Sequence, residues 1–330
     1  MARVIVTGGA GFLGSHLVEE LLARSHAVVA IDDLFRGRQK HLDDCKGSPD
    51  FHFLKGNCAD AKILQQAVEL IDGVDVIFHL AAVNGTRWFH EKADMVIDVN
   101  VNTTLAALEL ATEHACRLVF ASSPEALGVV EEQPMATAHD SLFEDAALHQ
   151  RHSYGASKYI GEVLVQHAVR TKDLDCRIVR PFNAYGARCP GNEYGQVISM
   201  FMDSAASGRP ISLHGDGSQT RSFTWVGDIT EGFLLAGFTD RSLDDNSRLE
   251  GAVWNMGSTE ETSIVDLAAS IVEISGKNVT IEHSKGYPGD SKRRCPDISD
   301  ATRQLGWQPW TTLEQGLVRT WHAIDARING

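Results

Sequence analysis

The chain has 330 residues, 43% hydrophobic and 22% charged, enough to bury a large core in one α/β domain or two. A formal net charge of −14 argues against a general nucleic-acid binder, so an anionic ligand must be held by local arginines and helix N-termini. No apolar run is as long as a membrane span, and glycines break the start MARVIVTGGAGFLG too early for a signal peptide.

The first element is a β-branched strand, Arg3 to Thr7, which opens into glycines and then into the apolar-periodic helix SHLVEELLARS. A buried strand follows from Ala27 to Asp33. DFHFLKGN reads as a third strand before the helical AKILQQAVELI. DVIFHLAA, Asp75 to Ala82, is a fourth. RLVFASS, Arg117 to Ser123, is a fifth, after a long helix around Asn102 to His114. A sixth begins at Cys176 in CRIVRPFNAYG. Strands alternating with helices predict a Rossmann-type, doubly wound parallel sheet. After Gly186, loop-rich stretches such as ARCPGNEYGQ and HGDGSQTRSF alternate with short helices and isolated strands such as AVWNMG. The expected division is a dinucleotide-binding domain over 1–186 and a smaller α+β C-terminal substrate-binding cap over 187–330. The first domain is expected to recruit later segments, about 222–260.

TGGAGFLG supplies Gly9, Gly11 and Gly14 in GxGxxG spacing, with Gly8 ahead of them. Such glycines allow a tight turn and let backbone approach a pyrophosphate at the helix N-terminus, here at Phe12 and Leu13. Asp32 ends the next strand at the fingerprint distance, with Asp33 beside it. A carboxylate there accepts from an adenosine ribose and repels a 2′-phosphate, so NAD is favoured over NADP. Arg36 and Arg38 just downstream keep the second cofactor open. Asn57, beside Cys58 in KGNCAD, can reach an adenine edge or serve as a plain turn residue.

Downstream, SYGASKYIGE places Tyr154 and Lys158 on one helix face. An unperturbed tyrosine, with a pKa of about 10, is a poor base at neutral pH. A lysine charge and a nicotinamide cation close by would favour the phenolate, which can then take a proton from a sugar hydroxyl while hydride leaves. Cys45, Cys58, Cys116, Cys176, Cys189 and Cys295 are scattered without CxxC, as expected of reduced thiols in a cytoplasmic protein. The histidines include no HExxH and no cluster with cysteines, so no metal site is expected.

With TGGAGFLGSHL, FHLAA, DVNVNTTLAALE, FASSPEALG, YGASK, RPFNAYGAR, GDGSQTRSFTWVGDI and RRCPDISDA in that order, the chain resembles the extended short-chain dehydrogenase/reductase family of nucleotide-sugar epimerases, dehydratases and decarboxylases. The resemblance runs almost end to end. It implies Tyr154 as base and Lys158 as the group that orients it and the nicotinamide ribose. Ser123 would hydrogen-bond the reacting sugar hydroxyl, Leu80, Ala81 and Ala82 would line the cofactor, and Pro181 would pack by the nicotinamide. Asn100 would contact the cofactor, or simply cap a helix. Asn183, Arg188 and Arg221 resemble residues that hold the sugar-nucleotide diphosphate, a role that suits the arginine fork. Arg294 resembles a further diphosphate or substrate arginine. Related members pair through a four-helix bundle, which implies a homodimer.

Departures from the pattern bear on the reaction. A 4,6-dehydratase carries Asp-Glu after its catalytic Ser or Thr, where this chain has Pro124 and Glu125, and proline cannot protonate a leaving hydroxyl. Glu125 keeps decarboxylation open beside 4-epimerisation, the reading placed first, in which it would be a secondary positioning group. NGTRWFHE, from Asn84 to Glu91, departs from both patterns and should face the sugar.

Overall fold

The protein is described by a computed structural model covering residues 1–191, 196–284 and 291–329. Its first half runs β1 (Arg3–Thr7), α1 (Phe12–Ala23), β2 (Ala27–Asp32), β3 (Phe51–Lys55), α2 (Ala61–Leu70), β4 (Val76–His79), α3 (Thr86–Glu91), α4 (Ala93–His114), β5 (Arg117–Ala121), α5 (Ser153–Lys172) and β6 (Cys176–Pro181). Its second half runs β7 (Ala184–Tyr185), α6 (Val197–Ala206), β8 (Ile211–His214), β9 (Thr220–Ser222), β10 (Thr224–Trp225), α7 (Val226–Phe238), β11 (Val253–Met256), β12 (Glu261–Ser263), α8 (Ile264–Ser275), β13 (Ile281–Ser284), α9 (Ser299–Leu305) and α10 (Leu313–Asn329). Residues 192–195, within the loop-rich stretch expected after Gly186, lie outside the described residues.

Seven parallel strands form the central sheet in the order β3-β2-β1-β4-β5-β6-β11. Side chains on a strand alternate between faces, and the sheet is covered on both. Val4 and Val6 therefore enter the core beneath α1 and α7, while Ile5 enters the one beneath α2, α4 and α5. Val28 and Ala30 against Val29 and Ile31, and Val119 against Leu118 and Phe120, divide in the same way. β1, β2, β4 and β5 read as near-continuous apolar runs because neither of their faces meets water.

β11 joins the sheet beside β6, and α7 packs on α1. The sheet thus takes back a segment from the second half of the chain, within the 222–260 range expected. It also takes Ala301, Leu305 and Trp307, which the sequence reading left in the cap; the Trp307 indole donates to the Asp228 carbonyl at 2.8 Å. The remaining C-terminal elements enclose a separate apolar cluster of Ile198, Phe201, Met202, Leu213, Leu267, Ile271, Leu317 and Trp321. α4 starts well before the expected Asn102, at Ala93, since no glycine or proline interrupts that stretch. No helix among the described residues is long and apolar enough to cross a membrane.

Candidate active site

One cavity of about 1300 Å³ runs from the carboxyl ends of β1, β2 and β4 to the C-terminal elements. That end of an open parallel sheet, where strand order reverses, is where ligands bind. The glycine loop forms its floor. Gly8 has φ +70°, and a Cβ there would stand 2.9 Å from the Ala81 nitrogen. A Cβ on Gly14 would lie 2.1 Å from the Gly8 carbonyl oxygen. Side chains at either position would fill the cradle into which the α1 N-terminus opens. Asp32 is buried at the loop's edge, accepting from the Ala10 and Leu34 amides at 3.0 and 2.8 Å. Burial raises its pKa, and these two hydrogen bonds oppose the rise. A carboxylate has about four lone-pair positions, so two remain for ribose hydroxyls. The loop and the acid together fit a dinucleotide.

Gly8, Gly11, Phe12, Leu13, Gly14, Asp32, Asp33, Asn57, Cys58, Leu80, Ala81, Ala82 and Pro181 all line the cavity. Asn57 also closes a turn, its side chain accepting from the Ala59 amide at 2.9 Å. Asn100 does not reach the cavity. Its amide is buried and spent on the Val83 backbone, at 2.7 and 3.3 Å, and on the Ser157 hydroxyl at 2.9 Å. It braces the β4 exit against α5 and makes neither the cofactor contact nor the helix cap expected. Arg36 also lines the cavity, 5.1 Å over the Trp88 ring, where its charge acts on Tyr154.

At the far end of β5, Ser123, Glu125, Tyr154 and Lys158 come together on the cavity wall. Burial raises the Tyr154 phenol, while its hydrogen bond to Ser123 and the Arg36 charge pull it down. Burial also lowers the Lys158 ammonium to about 7, against an opposing pull from Glu162. Lys158 donates to the Ala121 carbonyl at 2.7 Å and lies 5.8 Å from the Tyr154 ring centroid. Burial of the phenol outweighs both pulls on it, and the expected help from the Lys158 charge is not among the causes that act there. A nicotinamide cation bound beside the phenol would add a further positive charge in favour of the phenolate.

Glu125 is the largest surprise. Its Oε1 accepts from Arg151 at 2.7 Å and from Arg294 at 2.8 Å, both arginines being buried and the glutamate nearly so. Burial penalises its charge, but the two arginine charges and their hydrogen bonds win and hold the carboxyl well below its usual range. Arg151, three residues before Tyr154, was missed from sequence, where nothing separates it from a surface arginine. Asn84, Asn183, Arg188, Arg221 and Arg294 line the cavity too. Arg188 pairs with Glu19 of α1, which sets it on the dinucleotide side rather than among the sugar-side arginines. Asn183 donates to the Ser222 carbonyl at 2.8 Å, and Arg221 to the Thr220 carbonyl at 2.8 Å.

Among the described residues, Glu144, His149 and His152 bring potential metal ligands within 4.8 Å of one another. The Arg151 amide can only donate, and it donates to His149 Nδ1. The neutral ring then carries its proton on Nε2, facing Glu144 at 3.2 Å. His152 Nε2 faces the same Glu144 oxygen at 3.1 Å.

The sequence matches the NAD dependent epimerase/dehydratase family over residues 4–257. UDP-glucuronic acid decarboxylase 1 of Arabidopsis thaliana is 32% identical across 96% of this chain and 68% of its own length. UDP-glucose 4-epimerase of Mycolicibacterium smegmatis is 33% identical across 96% and 97%. The solved UDP-glucuronic acid 4-epimerase of Bacillus cereus, in complex with UDP-glucuronic acid and NAD, superposes with a TM-score of 0.83 at 28% identity, covering 98% of this chain and 99% of that one. With a sheet, a glycine cradle and a YxxxK helix in this arrangement, the chain belongs to the NAD dependent epimerase/dehydratase family, and its cofactor is NAD.

Proposed function

We propose that the protein is a nucleotide-sugar 4-epimerase that oxidises the sugar transiently at C4. Bound NAD supplies the hydride acceptor and donor. Ser123 holds the C4 hydroxyl, Tyr154 takes its proton as hydride leaves C4, and Lys158 orients the phenol and the nicotinamide ribose. The flat ketone then turns over and receives hydride on its other face, while Tyr154 returns the proton. Arg221 and Asn183 are the residues assigned to the sugar-nucleotide diphosphate.

One observation carries this reading: Glu125 is locked as a carboxylate between Arg151 and Arg294. A salt-bridged carboxylate has no proton to give a leaving hydroxyl, so dehydration lacks its acid. C4 redox chemistry needs only the Tyr154 and Ser123 pair. The same cluster supports a second reading. Two arginines against one glutamate leave an excess positive charge that suits a sugar carboxylate, and several relatives are named UDP-glucuronic acid decarboxylases. Loss of carbon dioxide from a 4-keto uronate breaks the C5–C6 bond without a protein acid, and the enolate it leaves then takes a proton at C5 from water before hydride returns to C4. Incubation with a panel of nucleotide sugars, followed by mass spectrometry and proton NMR, separates the readings. An epimer of unchanged mass is expected; loss of carbon dioxide establishes the second reading, and loss of water overturns both.

A further inference from the structure

Phe89 stands in the segment Asn84 to Glu91, which departs from both the epimerase and the decarboxylase patterns. α3 turns its ring flat onto Tyr154, with centroids 5.0 Å apart and planes 7° from parallel. The Arg151 guanidinium lies 5.2 Å from the same Phe89 ring. Ser153, between Arg151 and Tyr154, donates to the Phe89 carbonyl at 3.0 Å. Phe89, Val83, Val96 and Tyr154 form a small apolar cluster apart from both cores of the sheet. The phenol is thus seated on α3 and α4.

We propose that Phe89 is a positioning residue for the reaction centre, its ring fixing both the plane of the Tyr154 phenol and the place of the Arg151 guanidinium that holds Glu125. The inference rests on the reading of Tyr154 as the base. Proton transfer needs heavy atoms about 2.6–3.2 Å apart, and a misplacement of about 1 Å can cost about 100-fold in rate. A ring plane held by one flat neighbour loses that registration when the neighbour becomes aliphatic. Leucine at position 89 fills much of the volume but presents no flat face, so it separates the ring from mere filling.

The test compares Phe89→Leu, Phe89→Tyr and Tyr154→Phe as full-length, NAD-loaded proteins, with kcat, KM, bound nucleotide and unfolding midpoint measured for each. Phe89→Leu is expected to lose about 10- to 100-fold in kcat, with KM within about threefold and NAD content unchanged. Phe89→Tyr, which restores the ring, is expected to recover kcat to within about threefold of wild type. A purely structural role would lower the unfolding midpoint and leave kcat per NAD-loaded site intact. A folded Phe89→Leu with kcat within twofold of wild type overturns the inference, as does a folded Phe89→Tyr no better than Phe89→Leu. Should Phe89→Leu fail to fold, Phe89→Met is measured against the same criteria. Tyr154→Phe tests the underlying reading separately: near-native turnover there removes the base assignment whatever Phe89 does.

Discussion

Glu125 illustrates how a residue's partners set its consequences. As a free carboxylate near the sugar, it could be exchanged for glutamine with little effect on a simple epimerase. Bound to Arg151 and Arg294, it is the counter-ion of two buried guanidinium groups. Removing one member of a buried ionic cluster typically costs about 3–5 kcal/mol, because the remaining charges lose their compensation. Glu125→Gln should lower the unfolding free energy by about 3 kcal/mol in urea titrations, at the low end of that range. It should also weaken turnover even in an epimerase; an unchanged unfolding midpoint would show that the cluster is not held together in solution. Lys158 gives a pH signature. Its ammonium is lowered to about 7 by burial, so between about pH 7 and the ordinary lysine value of about 10.4 the unfolded chain binds more protons than the folded one. Stability from this group therefore rises with pH through that window, and its penalty is present in full below pH 7. Lys158→Met, in nucleotide-free protein, should remove that rise. Parallel stability profiles for the two proteins between pH 7 and 10 would contradict the assignment.

At the scale of elements, α4 and α5 carry more apolar surface than the sheet can cover. They pack closely on one another, yet Ile97 and Leu105 on α4 and Tyr159, Ile160 and Val163 on α5 remain exposed. Exposed apolar groups gathered on adjacent helices mark an interaction surface. We expect the pair to meet its copy in a second molecule, making a four-helix dimer. Val163→Glu should shift sedimentation at micromolar concentration from dimer to monomer, and a wild-type monomer under those conditions would rule the pairing out. α3 shows the limit of pattern reading on short elements. TRWFHE has no period long enough to announce a helix, and only its contacts with Tyr154 and Arg151 give Phe89 a place in the site.

At the scale of the whole molecule, the acidic chain gathers Arg221, Arg294 and Arg151 around one cavity, so its local charge opposes its net charge of −14. Asp32 at the adenosine end carries the opposite sign, and it should repel a 2′-phosphate. Nucleotide released from the denatured protein should accordingly be NAD; recovery of NADP would overturn the role given to Asp32. The sequence by itself determined the parallel sheet, the cofactor cradle and the Tyr154–Lys158 pair. Each is written in residues close along the chain: apolar strand runs, glycine spacing, and four-residue helical spacing. Only the tertiary structure decided that Asn100 braces Val83, that Arg188 pairs with α1, and that Arg151 and Arg294 share Glu125. It alone brought Leu305 and Trp307 back to the first domain and turned Arg36 onto Trp88. These are contacts between residues distant in the chain, whose partners are chosen by packing and charge compensation in the folded state and leave no period in the sequence.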